Sequence, residues 1–85
     1  MDVFLDVRSE EEFAEDGLKN TLNIPHTEVL DRIGEIDKNK KILVYCRSGR
    51  RAEAVTQELS SRDYNVQNIM TIQAARGLIS GGSQL

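Results

Sequence analysis

Cys46, the single cysteine of this 85-residue chain, opens the run Cys46-Arg47-Ser48-Gly49-Arg50-Arg51 directly behind the apolar stretch Ile42-Leu43-Val44-Tyr45. A thiol at the end of a buried strand, followed by a glycine-containing turn rich in arginine and then a helical pattern, is suited to carrying negative charge. Backbone N–H groups at the start of a helix have no intrahelical partners and favour an anion in the preceding loop. A free cysteine titrates near ~8.5, but a helix N-terminus and nearby arginines favour the thiolate, which is the nucleophilic form. Gly49 matters because a loop that turns several amides inward often needs a positive φ. A lone cysteine after an apolar strand is otherwise a small buried hydrophobe. Three guanidinium groups that cannot be buried unpaired weigh against that inert reading here.

The surrounding pattern supplies the elements that position this loop. Val3-Phe4-Leu5-Asp6-Val7 is apolar and β-branched, and predicts a short buried strand. Ser9 with Glu12 forms a capping box that predicts a helix to about residue 14, broken by Asp16-Gly17. Thr21-Leu22-Asn23-Ile24 predicts a second brief strand, held extended up to Pro25. Thr27 is placed to cap a helix over residues 28–34 that presents Val29, Leu30 and Ile33 on one face, while His26 falls in a turn or at the helix start. Lys38-Asn39-Lys40 is a polar turn. Residues 41–45 then predict a strand whose part after Lys41 is continuously apolar rather than alternating, as in a central strand covered on both faces. Ala52, Val55 and Leu59 recur at helical spacing and predict a core-packed helix over residues 50–61. Arg62-Asp63 turns the chain, residues 66–70 predict a last strand, and Thr71 caps a final helix to about residue 78. The small polar tail, residues 80–85, is expected to be disordered.

Strands alternating with helices imply parallel pairing and right-handed crossovers. The expected architecture is therefore α/β, one domain over residues 1–79, with a central parallel sheet of about four to five strands flanked by helices. Ligands of such sheets bind outside the carboxyl ends of the strands, where Cys46 falls.

Composition excludes several classes. A net charge of −3 gives no reason to expect nucleic acid or an anionic membrane as partner. One cysteine leaves no internal disulfide, and with His26 the only histidine it cannot complete a zinc site, so no metal and no cofactor is expected. No stretch approaches the ~20 apolar residues that cross a bilayer, and no signal-peptide pattern opens the chain.

Leu5-Asp6-Val7-Arg8 with Glu12-Phe13, then Asn23-Ile24-Pro25, then Val44-Tyr45-Cys46-Arg47-Ser48-Gly49-Arg50-Arg51, continued by Tyr64 and Val66, resemble the single-domain rhodaneses, a sulfurtransferase family. By length and layout the chain is similar to the small phage-shock-protein-E type. The resemblance covers about residues 3–70 and implies a small rhodanese-like sandwich. It implies that the Cys46 thiolate takes the outer sulfur of a small anionic donor such as thiosulfate, becomes a persulfide, and passes the sulfur to cyanide or a thiol, with a thiol redox protein among the possible acceptors. The amides of residues 47–51 would cradle the persulfide, and Arg47, Arg50 and Arg51 could attract the donor. Arg51 closes the family's loop and could instead hold its shape by pairing with a carboxylate. Ser48 either hydrogen-bonds the donor or is a small turn residue. Asp6 and Arg8 match a segment that supports the floor of the site; read alone, Asp6 is a strand-end cap and Arg8 a surface ion pair of little worth. A monomer is expected. A free thiol without a signal sequence favours the cytoplasm, and the resemblance keeps the periplasm open.

The chain departs from the family pattern where its usual Gly-His-Ile-x-Gly-Ala is here Asp16-Gly17-Leu18-Lys19-Asn20-Thr21, where a Gly-Gly pair gives way to Met70-Thr71-Ile72, and in lacking the Trp of the last helix. These changes bear on packing and on the pocket rim. Two rival functions are distinguishable. In a Cys-based phosphatase or arsenate reductase the loop arginine lies one position later, at Ala52 here. A persulfide carrier or binding module of the same fold would keep the cysteine and show little turnover.

Overall fold

The structure is a computed structural model that describes residues 2–83. Its elements follow in the order β1 (Asp2–Asp6), α1 (Glu10–Asp16), β2 (Thr21–Asn23), β3 (Lys41–Cys46), α2 (Arg50–Ser60), β4 (Val66–Thr71) and α3 (Ile72–Ser83). The four strands form one parallel sheet in the order β2-β1-β3-β4. The α/β architecture and the central place of residues 41–46 agree with the expectation from sequence.

The unbroken apolar run of β3 is explained by its two neighbours in depth. Side chains alternate across a strand, so Ile42, Val44 and Cys46 pack with Leu5, Val7, Ala52, Val55 and Leu59 on the α2 side. Leu43 and Tyr45 pack with Ile69, Ile72 and Ala75 on the α3 side. Each fully buried Val or Leu in these layers contributes about 1.5–3 kcal/mol. Cys46 is thus the last inward residue of the α2-facing row, where the core meets the carboxyl edge of the sheet.

The capping box at α1 forms with both of its bonds: Glu12 N–H donates to Ser9 Oγ at 3.1 Å and Ser9 N–H to Glu12 Oε1 at 3.0 Å. Gly17 ends the helix, donating to Phe13 O at 2.7 Å; a Cβ there would lie 2.6 Å from the Phe13 ring. That contact accounts for glycine where the family pattern has histidine.

The helix expected over residues 28–34 is not formed. Two 3-10 turns, His26–Glu28 and Ile33–Glu35, replace it, and no side chain caps the first, so Thr27 does not take the predicted role. A segment this short is a marginal helix without packing along its length, and here its polar groups find local partners instead. Arg32 bridges Glu28 at 3.1 Å and Glu35 at 2.8 Å, and the Tyr64 hydroxyl donates to the Ile36 carbonyl at 3.3 Å. Val29 is buried as predicted, but Leu30 points to solvent.

At the other end, Thr71 Oγ1 accepts from Ala74 N–H at 3.1 Å, as expected of a cap. The helix it opens continues to Ser83, so the backbone of residues 80–83 is helical where the sequence suggested a disordered tail; residues 84 and 85 lie outside the described residues. No described helix is long and apolar enough to cross a membrane.

Candidate active site

β3 delivers Cys46 to the carboxyl edge of the sheet, and the chain then turns through Arg47-Ser48-Gly49 into α2. Gly49 is the N-cap residue, with φ +96°, a region that glycine alone enters without steric resistance. Its N–H donates to Cys46 Sγ at 3.0 Å. Among the described residues it is the one backbone N–H that reaches the sulfur, so the resting loop does not close all the amides of residues 47–51 around Sγ as the sequence reading expected. Cys46 is only 1% exposed. The sulfur is packed in the core row beneath the loop.

The arginines divide into two roles. Arg51 is fixed: it donates to Glu12 Oε1 at 2.8 Å and Oε2 at 3.1 Å. Of the two roles open to it from sequence, pairing with a carboxylate is the one observed. Its pKa is raised, first by the bonds to Glu12 and also by the neighbouring Cys46 sulfur. The guanidinium thus binds α1 to the start of α2 while keeping its charge beside the thiol. Arg47 is 69% exposed and sits 3.5 Å from Glu12 Oε2. Arg50 is exposed and has no ion pair among the described residues. It lines a cavity of about 330 Å³ together with Ser48, Gly49, Glu53, Asn68 and Met70.

Glu12 is a site residue that sequence reasoning assigned only to a capping box. One carboxylate serves the cap of α1 and the closing arginine of the Cys loop together. The Arg51 bonds, with the Ser9 N–H, hold its carboxyl well below the usual carboxylate range. The folded state therefore binds this proton more weakly than the unfolded chain. The resulting stabilisation is complete above the ordinary value of 4.5 and drains away as the pH falls from there toward the folded value. Glu12→Gln is expected to lower stability by about 1 kcal/mol at neutral pH, where the partly exposed pair is screened by solvent. Thermal melts of both proteins from about pH 7 down to about pH 3 should show the gap narrowing in acid; a gap independent of pH would contradict the pairing.

Asp6 does cap its strand end, Oδ1 accepting from Arg8 N–H at 2.9 Å, but Arg8 is no surface pair. Both are buried, at 0% and 1% exposure. Arg8 Nε donates to both Asp6 oxygens at 3.1 Å, NH2 donates to Oδ2 at 2.9 Å, and NH1 reaches Asp16 at 2.7 Å. Asp6 pairs across the sheet with Tyr45, and Val7 N–H donates to Tyr45 O at 3.1 Å. The pair therefore underlies the same carboxyl edge as the Cys loop. Asn23 closes it from β2, donating to the carbonyls of Asp6 and Arg8 at 3.0 and 3.1 Å. The Tyr45 hydroxyl is buried with no hydrogen-bond partner. Burial, with the Asp6 charge nearby, raises its pKa and keeps the phenol neutral.

Comparison with known proteins matches this geometry to a family. The profile described as Rhodanese-like domain matches residues 1–73. The chain is 35% identical over 68 residues to the thiosulfate sulfurtransferase PspE of Escherichia coli (strain K12), covering 76% of this chain and 65% of PspE. It is 33% identical over 60 residues to the putative sulfur carrier protein YrkF of Bacillus subtilis (strain 168), covering 71% of this chain and 32% of that protein. It thus spans less than two thirds of the length of either relative. The solved structure of a rhodanese with anions from E. coli superposes with a TM-score of 0.73 at 34% identity, covering 80% of this chain and 84% of that one.

Proposed function

The chain belongs to the rhodanese-like family, and from that premise we propose that it is a sulfurtransferase in which Cys46 carries the transferred sulfur. The observation that supports this reading most is the Gly49 N–H donating to Cys46 Sγ at 3.0 Å, with the Arg51 guanidinium beside the same sulfur. Both groups stabilise negative charge on sulfur, the state needed for attack.

The reaction proceeds in two displacements. The Cys46 thiolate attacks the outer sulfur of thiosulfate; a new S–S bond forms, the S–S bond of the donor breaks, and sulfite leaves with the electron pair. A persulfide places the transferable atom about 2 Å beyond Sγ, away from the buried position of the resting thiol. Cyanide or an acceptor thiolate then attacks that outer atom, and the Cys46 thiolate leaves with the bonding pair. Arg47 and Arg50, both solvent-facing, draw the anionic donor to the loop, and Ser48 offers it a hydroxyl. Asp6 and Arg8 support the floor from below. The relatives support two versions of this chemistry, since one bears the name of a thiosulfate sulfurtransferase and the other of a putative sulfur carrier. We favour turnover with thiosulfate because the exposed Arg47 and Arg50 at the loop suit a small dianion better than a bulky protein-borne donor.

The test is the mass of the intact protein after incubation with thiosulfate and removal of excess donor. We expect the addition of one sulfur atom, confined to the peptide containing Cys46 and lost on adding cyanide with release of thiocyanate. A protein that gains no sulfur overturns the proposal. One that gains sulfur stoichiometrically but releases thiocyanate only once is the carrier.

A further inference from the structure

We infer that Asn68 and Met70 of β4 are positioning residues that hold the Gly49 N–H against the Cys46 sulfur, an inference that rests on reading Cys46 as the sulfur-bearing nucleophile. The register of β3 with β4 shifts just below the site: Val44 pairs with Asn68, and Tyr45 with Met70, so Ile69 is an extra residue. Bulges re-aim the side chains beside them. Here both flanking residues are aimed at Gly49.

Asn68 Nδ2 donates to the Gly49 carbonyl at 3.5 Å and to Glu53 Oε1 at 3.1 Å, and its Oδ1 accepts from Met70 N–H at 2.8 Å. Met70 adopts φ +76°, a left-handed conformation that a residue with a side chain enters only against steric resistance. This strain does not bury an apolar side chain, because Met70 is 49% exposed. It sets the thioether over the Cα of Gly49 instead: a Cβ on Gly49 would lie 2.7 Å from Met70 Cε and 3.2 Å from Sδ. The Gly49 carbonyl, which accepts from Glu53 N–H at 2.8 Å as the first bond of α2, takes Asn68 as a second donor, and its Cα is covered by the Met70 thioether. These contacts hold Gly49 at the φ of +96° that turns its N–H, part of the preceding peptide, toward Sγ. Strained residues persist where the surroundings over-determine them, and they gather at functional sites.

The charged groups around the sulfur are Arg51 from α2, Glu12 of α1 behind it, and Arg47 in the loop; Glu53 faces Asn68. The variants that test the inference replace none of these residues, and the Asn68 variants also release the Glu53 carboxylate from its bond to the amide. Asn68→Ala and Met70→Ala should each loosen the Gly49 backbone conformation that aims its N–H at the sulfur. In 1H–15N spectra of the reduced protein, the Gly49 amide proton is expected to move upfield and to exchange with water about tenfold faster or more. The rate of Cys46 alkylation by iodoacetamide at neutral pH should fall about threefold. Met70→Leu, which keeps the bulk, should stay close to the wild type. Asn68→Leu keeps much of the volume, adds no charge and loses the donor to Gly49, and should behave like Asn68→Ala; it serves as the second variant if the alanine protein does not fold. An unchanged Gly49 resonance and alkylation rate in Asn68→Leu and Met70→Ala would overturn the inference. Neither measurement requires turnover, so a wild-type protein inactive toward thiosulfate that still shows these responses would refute the proposed function and uphold the positioning.

Discussion

Replacing Cys46 with serine is expected to reduce thiocyanate formation from thiosulfate and cyanide to the uncatalysed background, a loss of about 10³-fold or more. The hydroxyl that replaces the thiol does not ionise near neutral pH and cannot bear a transferable sulfur atom. One amide bond and one guanidinium cannot overcome that difference in acidity. The comparison needs a folding control, because Cys46 is a core residue as well as the nucleophile, packed in the same cluster as Val7, Val44 and Ala52. A serine hydroxyl in that row costs about 1–3 kcal/mol if it finds no partner, although the Gly49 N–H is positioned to satisfy its oxygen. Cys46→Ala, which removes the sulfur and introduces no polar atom, separates lost chemistry from lost stability. Both variants should retain the circular dichroism of the wild type and both should be inactive. Turnover in a folded Cys46→Ser protein within about tenfold of the wild type would show that the sulfur travels by another route.

The parts of this fold that are legible in the sequence are those whose cause is local. A capping box is written in two residues, Ser9 and Glu12, and it forms. The continuous apolar run before Cys46 states that both faces of its strand are covered, and they are, by α2 and α3. The segment after Pro25 carried a helical period, yet the period only reports that Val29 and Ile33 face inward; whether the backbone between them closes α-helical bonds depends on packing that a short stretch does not supply. The sulfur loop was legible as a list of residues, and its internal division of labour was not. Glu12 and Arg51 are 39 positions apart, so nothing in the local pattern assigns the carboxylate to the arginine. Arg8 reads as exposed by residue type, and its burial follows only once Asp6 and Asp16 are brought to it from two elements. The bulge in β4 is unmarked in the chain's own pattern, because Asn68-Ile69-Met70 continues the strand, and the left-handed turn at Met70 is signalled only by the family's Gly-Gly pair at that place.

The buried pair beneath the loop should produce the largest effect on stability. Arg8→Ala leaves the Asp6 carboxylate at 0% exposure without its guanidinium, and removing one partner of a buried ion pair costs about 3–5 kcal/mol. A domain of this size holds roughly 0.05–0.15 kcal/mol per residue in total, so the loss approaches the whole margin. At about 4–8 °C per kcal/mol for a small domain, the melting temperature should fall by roughly 15–30 °C. Arg8→Lys should recover little, because a single ammonium cannot donate to both Asp6 oxygens and to Asp16 as the forked guanidinium does. The informative comparison is the double variant Asp6→Asn, Arg8→Met, which removes both charges and fills much of the volume. It should melt above Arg8→Ala, since the dominant penalty is the orphaned charge rather than the missing attraction. Melts of Arg8→Ala within a few degrees of the wild type would mean that Asp6 is reached by solvent or by another cation. The carboxyl edge that carries Cys46 would then owe its shape to the Glu12–Arg51 clamp and to the main-chain ladder instead.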